Sequence, residues 1–249
     1  MQKTNFEYEV LVHDDASTDG TAAIIKEYEL KYPNIIKPIY QKENIYSKGI
    51  NRTYEYMLPR TRGKYIAICE GDDYWTDSYK LQKQYEYMET HPSCSLVVHK
   101  TICNYIEGKY SEPFTTYDFS KPENCELEAK DVINNHCLFH TSSLFFKKEY
   151  YYNNKTFLME NKGFDYVAKI LLATEGKVHV IPEFMSVYRK GTESSWTKNV
   201  SNISSKYIEH TKYAIDVLNK IDAYTNYQYT QLIQKDILKR EFDMYVEQR

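Results

Sequence analysis

Three carboxylates lie within four residues of one another in the segment "CEGDDYWTD", residues 69–77. They are Glu70, Asp72 and Asp73, and they follow "GKYIAI", an apolar run of the kind that forms a buried strand. Like charges placed so close repel one another, and a carboxylate in such a cluster takes up a proton or a cation. The pattern leaves three interpretations: a solvated turn, an acid/base pair, or a site for a divalent metal.

Asp72 and Asp73 suffice for a metal site of one particular kind. Mg²⁺ and Mn²⁺ prefer oxygen ligands, and Mg²⁺ commonly takes one or two carboxylates together with phosphate oxygens. A protein site that a diphosphate substrate completes therefore needs few acidic residues. A metal bound there would neutralise the charge that grows on a leaving phosphate.

A second acidic segment, "HDDASTDGT", also follows a strand pattern. The spacing of Asp15, Ser17 and Asp19 imitates the start of an EF-hand loop, but Lys26 stands at the twelfth position, where that loop needs Glu. Helix capping explains one or two of these residues. The paired Asp14 and Asp15 at a strand end favour a polar pocket that accepts hydrogen bonds from a base or a ribose.

Alternating strands and helices must position these acidic segments. Apolar, β-branched runs predict strands, and apolar residues at helical spacing predict helices between them. In chain order the first hundred residues predict a strand at 6–13, a helix at 22–32, a strand at 34–40, a helix at 47–58, a strand at 63–68, a helix at 77–91 and a strand at 95–100. This order favours a parallel, doubly wound α/β sheet, whose ligands bind at the carboxyl ends of the strands.

The remaining chain predicts further elements of both kinds. Residues 104–125 have little periodicity and predict a connecting segment. A strand at 142–148, a helix at 164–176 that closes on Gly176, and strands at 177–182 and 184–190 follow. From about residue 200 two apolar stripes at helical spacing predict two C-terminal helices.

Three segments in this order, "EVLVHDDASTDGT", "GKYIAICEGDDYWTDSYKLQKQ" and "GFDYVAKILLATEGKVHVIPEFMSVYRK", resemble a bacterial family 2 glycosyltransferase with the GT-A fold. The resemblance implies an α/β, Rossmann-like, mostly parallel sheet flanked by helices, with a C-terminal helical extension. It implies a glycosyltransferase domain at 1–198, without the first strand and helix that such domains begin with, and the helical extension at 199–249.

The resemblance also implies roles for individual residues. Asp14 and Asp15 belong to the pocket for the base and ribose of a nucleotide sugar. Asp72 and Asp73 match the DXD-type motif, with Asp73 as the direct metal ligand, Asp72 nearer the ribose or the waters of the metal, and Mg²⁺ or Mn²⁺ as the cofactor. Asp165 matches the acidic residue that acts as general base.

Four other positions bear on the same site. Arg189 and Trp196 are predicted to bind the nucleotide sugar, the arginine through phosphate oxygens and the tryptophan by closing over donor or acceptor. The resemblance implies a His two residues after Arg189, where this chain has Gly191. His136 and His140 lack the Glu of the HExxH zinc motif, so they are predicted to be packing or acceptor-site residues.

The overall composition narrows the partners. The chain has 249 residues and a formal net charge of −3, which provides no basic surface for nucleic acid. No apolar run approaches the roughly 20 residues of a membrane helix, and "MQKTNFEYEV" lacks the apolar centre of a signal peptide. The five cysteines show no C-x-x-C spacing and predict reduced thiols in the cytoplasm.

These features together predict a metal-dependent inverting glycosyltransferase of the hexosyltransferase type. It moves a sugar from a nucleotide-sugar donor to a hydroxyl of a glycan or lipid-linked acceptor in cell-surface polysaccharide synthesis. A UDP-sugar is the first candidate for the donor. The predicted location is the cytoplasm, with peripheral association at the inner face of the membrane as a further prediction. One alternative is a catalytically inactive GT-A-like binding module. A sugar nucleotidyltransferase shares the architecture and the metal chemistry, but "GFDYVAKILL" favours the transferase.

Overall fold

The computed structural model describes residues 1–48, 50–105, 110–135, 137–161, 164–191 and 204–247. The strands and helical segments of the first hundred residues follow in the predicted order, with one additional short strand at Tyr74–Trp75. The strands are β1 Val10–Asp14, β2 Ile36–Tyr40, β3 Tyr65–Ala67, β4 Tyr74–Trp75, β5 Cys94–Tyr105, β6 Ser111–Pro113, β7 Glu126–Leu127, β8 Phe145–Lys147 and β9 Lys177–Lys190. The α-helices are α1 Thr21–Lys31, α2 Lys80–Thr90, α3 Ala129–Asn134, α4 Lys148–Asn153, α5 Lys155–Glu160, α6 Phe164–Thr174, α7 Ser204–Tyr224 and α8 Thr230–Glu247.

Two sheets form in the described residues. Strands β1 and β2 pair in parallel, with α1 as the crossover between them. The larger sheet has the order β3-β8-β5-β9-β4, with β6 on β5 and β7 on β9. Its longest pairing, β5 with β9, is parallel. The α/β class with a central sheet flanked by helices is confirmed.

The direction of the other strands adds a feature that the sequence pattern does not show. Every other pairing in the larger sheet is antiparallel: β3 with β8, β4 with β9, β5 with β6, β5 with β8 and β7 with β9. The sheet is therefore mixed rather than mostly parallel. Short strands of two or three residues pair antiparallel with the long strands β5 and β9. The direction of each short strand decides which loops meet at each edge of the sheet.

Strand β5 separates two apolar layers. Leu96 and Val98 point into one layer and Val97 into the other, because successive side chains of a strand alternate between the two faces of the sheet. Helix α2 covers the Val97 layer with Leu81 and Met88. Helices α6, α7 and α8 cover the opposite layer. The sheet is thus buried on both faces, as an α/β fold requires.

Residues 46–60 depart from the predicted α-helix at 47–58. The chain instead forms a 3₁₀ turn at Tyr46–Lys48, a π-helical turn at Thr53–Met57 and a second 3₁₀ turn at Leu58–Arg60. Pro59 lies in the last turn and has no N–H with which to continue a helix. The predicted end of the helical segment near this proline is therefore right, and its regular α-helical geometry is wrong.

Gly176 joins α6 to β9 at a point of close backbone approach. A Cβ atom on this residue would lie 2.5 Å from the carbonyl oxygen of Ser93. The main-chain N–H of Lys177 donates to the same oxygen at 2.9 Å. Only glycine lets the chain pass here without a shift of the backbone.

The two predicted C-terminal helices are α7 and α8. Their buried residues belong to the same apolar cluster as α6 and the central sheet, including Val217, Ile221 and Ile233. The domain boundary at residues 198 and 199 falls outside the described residues and stays a prediction. Among the helices described, none has the length together with the apolar character that crossing a bilayer demands.

Candidate active site

Antiparallel pairing brings the acidic segment to the end of β9. Strand β4 begins directly after Asp73, and its first residue, Tyr74, pairs with Val187. The main-chain N–H of Arg189 donates to Asp73 Oδ1 at 3.2 Å, and the Nε–H of Arg189 donates to the carbonyl oxygen of Asp72. The structure therefore brings together three of the predicted site residues, and the arginine holds the acidic turn against β9.

Asp73 is a buried carboxylate with one oxygen unused. Its side chain is 1% exposed, and Oδ2 has no hydrogen-bond partner in the part of the chain that is described. Burial raises the pKa of Asp73 to about 6, the N–H of Arg189 opposes this, and the nearby charge of Asp72 adds to it. A buried carboxylate oxygen without a partner is costly. A proton or a cation is the occupant that would remove this cost.

Glu70 and His140 lie around the same oxygen. The donor atoms of Glu70, Asp73 and His140 all lie within 4.8 Å of one another. Glu70 is exposed as a residue, but neighbouring protein atoms surround its carboxyl group. This desolvation, together with the charges of Asp73, Asp165 and Asp72, raises the pKa of Glu70 to about 7. Carboxylates suit Mg²⁺ and Mn²⁺, and imidazole suits transition metals. This donor set and the orphaned oxygen fit the divalent metal that the family resemblance implies.

His140 reaches this site because β8 runs antiparallel to β3. Ala67 pairs with Phe145, so the residues that follow β3 meet those that precede β8 at one edge of the sheet. There His140 Nδ1 lies 3.6 Å from Asp73 Oδ2. Sequence reasoning predicted a packing or acceptor-site role for His140 and missed its position beside Asp73, because alternating strand and helix patterns do not reveal strand direction. His136 lies outside the described residues.

Two aromatic rings fix the imidazole of His140. It stacks on Tyr188, with ring centroids 4.4 Å apart and an interplanar angle of 22°, and the edge of Phe114 approaches at 5.0 Å. Burial lowers the pKa of His140 to about 3; the charge of Lys169 lowers it further, whereas Asp165 opposes the shift. The imidazole is therefore neutral at physiological pH.

Asp165 lies in the first turn of α6 with an exposed side chain. Its charge contributes to the raised pKa of Glu70 and opposes the lowered pKa of His140, which places it in electrostatic range of the acidic cluster. Lys169, one turn later on the same helix, is buried, and its ammonium lies 5.8 Å from the ring centroid of Phe139. Lys169 is a second neighbour that sequence reasoning missed, although helical spacing from Asp165 places the two on one face.

The two aspartates after β1 have different environments. Asp14 is buried, and its Oδ1 lacks a hydrogen-bond partner within the described ranges. Asp15 instead accepts the main-chain N–H groups of Ile45 and Tyr46, at 2.9 and 3.0 Å, and so ties down the loop after β2. Asp19, one residue before the N-cap Gly20, accepts the main-chain N–H of Thr21 at the start of α1 at 2.9 Å. Of the three, Asp14 is therefore the one with a buried carboxylate oxygen that a ligand could satisfy.

Three remaining positions lie at the end of β9 or after it. Gly191 has a φ of 93°, a left-handed conformation that favours glycine and would strain a His at this position. Trp196 lies outside the described residues, so its role stays a prediction. The binding of phosphate by Arg189 likewise stays a prediction.

Comparison with known proteins decides the family. The profile of glycosyl transferase family 2 matches residues 1–151. Uncharacterized protein Rv1520 of Mycobacterium tuberculosis is 33% identical over 197 residues, which make up 78% of this chain and 54% of that protein. The chain belongs to glycosyl transferase family 2. The resemblance that the acidic motifs indicated is confirmed.

Two relatives from Bacillus subtilis carry more specific names. The putative teichuronic acid biosynthesis glycosyltransferase TuaG is 35% identical over 88 residues, which are 35% of this chain and 33% of that protein. The minor teichoic acid biosynthesis protein GgaB is 25% identical over 257 residues, which are 94% of this chain and 27% of that protein. The chain spans about half the length of the mycobacterial protein and a smaller share of these two.

Proposed function

We propose that this family 2 chain is a divalent-metal-dependent, inverting glycosyltransferase of the hexosyltransferase type. The donor is a nucleotide sugar, and a UDP-sugar is the first candidate. The acceptor is a hydroxyl of a glycan or lipid-linked saccharide. One observation carries the proposal: the buried Asp73 carboxylate has an oxygen without a hydrogen-bond partner among the described residues, beside Glu70 and His140. Such a costly arrangement is expected where a bound ligand relieves it.

The acidic turn and the end of β1 hold the donor. Asp73 binds the metal, and Asp72 lies beside it at the ribose or at the waters of the metal. When bound, the metal neutralises the charge that develops on the leaving diphosphate. Arg189 keeps both aspartates against β9 through its two hydrogen bonds. Asp14 accepts a hydrogen bond from the base or ribose with its free Oδ1.

Asp165 takes the proton from the acceptor. The bond between the acceptor oxygen and the anomeric carbon forms as the bond from that carbon to the phosphate oxygen breaks. The electron pair leaves with the nucleoside diphosphate, and the hydroxyl proton goes to the Asp165 carboxylate. Attack from the face opposite the leaving group inverts the anomeric centre. An exposed carboxylate at a helix start suits this role because a large acceptor has to reach it.

The names of relatives support a role in surface-polysaccharide synthesis. TuaG is named for teichuronic acid biosynthesis and GgaB for minor teichoic acid biosynthesis, and both syntheses build polymers of the bacterial surface. The proposed nucleotide-sugar donor favours a cytoplasmic reaction. A position at the inner face of the membrane stays a prediction that the acceptor class alone suggests.

The decisive experiment measures UDP affinity by calorimetry with Mn²⁺, with Mg²⁺ and with EDTA, together with release of UDP from a panel of UDP-sugars. We expect Mn²⁺ to strengthen UDP binding and Asp73→Asn to remove that increase. The matched control is Asp222→Asn, because Asp222 is also buried but accepts hydrogen bonds from Thr230, on the C-terminal helices. The control should keep the metal effect.

The same experiment separates the enzyme from the binding-module alternative. Equal UDP affinity with metal and with EDTA, in folded protein that binds UDP, would refute metal dependence. Binding of UDP-sugars with no release of UDP in the presence of any metal or acceptor would favour the inactive module.

A further inference from the structure

Two acceptor atoms, Asp73 Oδ2 and His140 Nδ1, face each other inside the candidate site. Asp73 Oδ2 has no hydrogen-bond partner in the described part of the chain, and His140 Nδ1 lies 3.6 Å away. Both side chains are buried. Two lone pairs that converge in a buried place repel each other unless a proton or a cation lies between them, and a cation is the occupant that the family's chemistry supplies.

The protonation state of His140 follows from its hydrogen bonds. The main-chain N–H of Ser142 donates to Nδ1 at 3.2 Å. A main-chain amide is always a donor, so Nδ1 carries a lone pair and the ring proton lies on Nε2. At 3.2 Å this hydrogen bond is at the long end of the usual range, and a metal competes with it for the same lone pair.

A buried network and two aromatic rings hold the imidazole where it faces Asp73. The hydroxyl of Ser142 lies 2.9 Å from Nδ1 and 2.9 Å from the hydroxyl of Ser186, which in turn lies 2.9 Å from the hydroxyl of Thr101. All three hydroxyl residues are buried. Tyr188 covers one face of the ring. Positioning of this kind is typical of the outer contacts that orient metal-binding histidines.

We infer that His140 supplies a nitrogen ligand, beside the Asp73 and Glu70 carboxylates, to the divalent cation of this site, and that the site therefore prefers Mn²⁺ to Mg²⁺. This inference rests on the proposed function and deepens it. Two ligands at a right angle on an ion with bonds of about 2.1 Å lie about 3 Å apart, close to the observed 3.6 Å. Mg²⁺ dehydrates reluctantly and takes oxygen ligands, whereas transition-metal ions accept imidazole.

Pulsed electron paramagnetic resonance of bound Mn²⁺ tests the nitrogen ligand directly. Samples contain the full chain with Mn²⁺ alone and with Mn²⁺ plus UDP. We expect modulation from a directly coordinated ¹⁴N nucleus, which changes to the ¹⁵N pattern when the wild-type protein is grown with ¹⁵N-labelled histidine. His140→Gln should abolish the nitrogen signal and weaken Mn²⁺ binding by about tenfold or more, with a much smaller effect on Mg²⁺. The control His91→Gln, at the exposed end of α2, should change neither.

The labelled wild-type sample keeps the test decisive if His140→Gln fails to fold. Mn²⁺ that binds with UDP but shows no histidine nitrogen would overturn the role of His140 and leave the proposed function standing. A signal that persists in folded His140→Gln would do the same. Absence of Mn²⁺ binding even with UDP would overturn the role of His140, and absence of Mg²⁺ binding as well would overturn the proposed function, which requires a divalent metal.

Discussion

Lys80 is a buried cation at the start of α2, close to the acidic segment. The residue is 0% exposed, and its Nζ has no hydrogen-bond partner in the described residues. Its nearest compensation is the face of Trp75, with Nζ 4.0 Å from the ring centroid. Burial lowers the pKa of Lys80 to about 7, and the nearby Cys69 opposes this shift only in part. We predict that replacing this ammonium by a methionine side chain stabilises the fold.

The magnitude follows from the difference between the folded and unfolded pKa. An unfolded lysine has a pKa of about 10.4, and each pKa unit corresponds to about 1.4 kcal/mol. A folded pKa of about 7 therefore costs about 4 kcal/mol at pH 7. The attraction to Trp75 is worth about 2 kcal/mol for a desolvated cation. Lys80→Met, which keeps a similar volume, should then raise the free energy of unfolding at pH 7 by about 2 kcal/mol.

The shifted pKa of Lys80 also makes the free energy of unfolding depend on pH in a definite direction. Between pH 7 and 9 the unfolded chain keeps the proton of Lys80 while the folded chain releases it, so the unfolded state binds more protons and stability rises with pH. The rise due to this residue is about 1 kcal/mol over that interval once the attraction of the ammonium to Trp75 is included. Lys80→Met should lose this rise, so the stabilisation by methionine shrinks from pH 7 to pH 9. Other titrating groups cancel in the comparison with wild type.

Urea unfolding at pH 7, 8 and 9 measures both effects. The matched control is Lys83→Met on the same helix, because Lys83 donates to Asp77 at 2.8 Å and to Glu183 at 2.5 Å, and these partners raise its pKa. The control should lose about 1 kcal/mol or less and keep the wild-type change between pH 7 and 9. A Lys80→Met variant that is less stable than wild type, or whose stability rises equally with pH, would show that the ammonium has a partner and would refute this reasoning.

Three further predictions address the base, the donor pocket and the backbone. Asp165→Asn should keep UDP affinity and lower sugar transfer by about 100-fold or more, as measured by UDP release with acceptor present, and undiminished transfer would exclude Asp165 as the base. Asp14→Asn should weaken UDP binding in calorimetry. Asp15→Asn should mainly lower the melting temperature, because the Asp15 oxygens already accept two main-chain N–H groups. The reverse pattern would contradict the assignment of Asp14 to the donor pocket. Gly176→Ala should cost about 1–3 kcal/mol in urea unfolding because its Cβ meets the Ser93 carbonyl, while Gly20→Ala, where the space is open, should change stability by less than about 1 kcal/mol; equal losses would refute the clash.

Local patterns in the sequence determine several parts of this fold. The apolar run before residue 68 predicts a strand and places Asp72 and Asp73 just beyond its end, where the structure has them. Helix α6 and the two C-terminal helices follow from apolar residues at helical spacing, and the order of the acidic motifs predicts the family. Each of these inferences depends on residues close together in the chain, so neither strand direction nor packing is needed to make them.

Only the tertiary structure decides which distant residues share the site. Antiparallel pairing of β8 with β3 brings His140 to Asp73, and antiparallel pairing of β4 with β9 brings Arg189 there. The sequence predicts a donor-binding role for Arg189 and a packing or acceptor-site role for His140, but it does not place either residue beside Asp73, because a short strand pairs equally well in either direction until the sheet forms around it. Burial decides the rest: Lys80 begins a helix of ordinary composition, and only its packing under Trp75 shows that its charge has lost water without gaining a hydrogen bond from the residues that the structure describes.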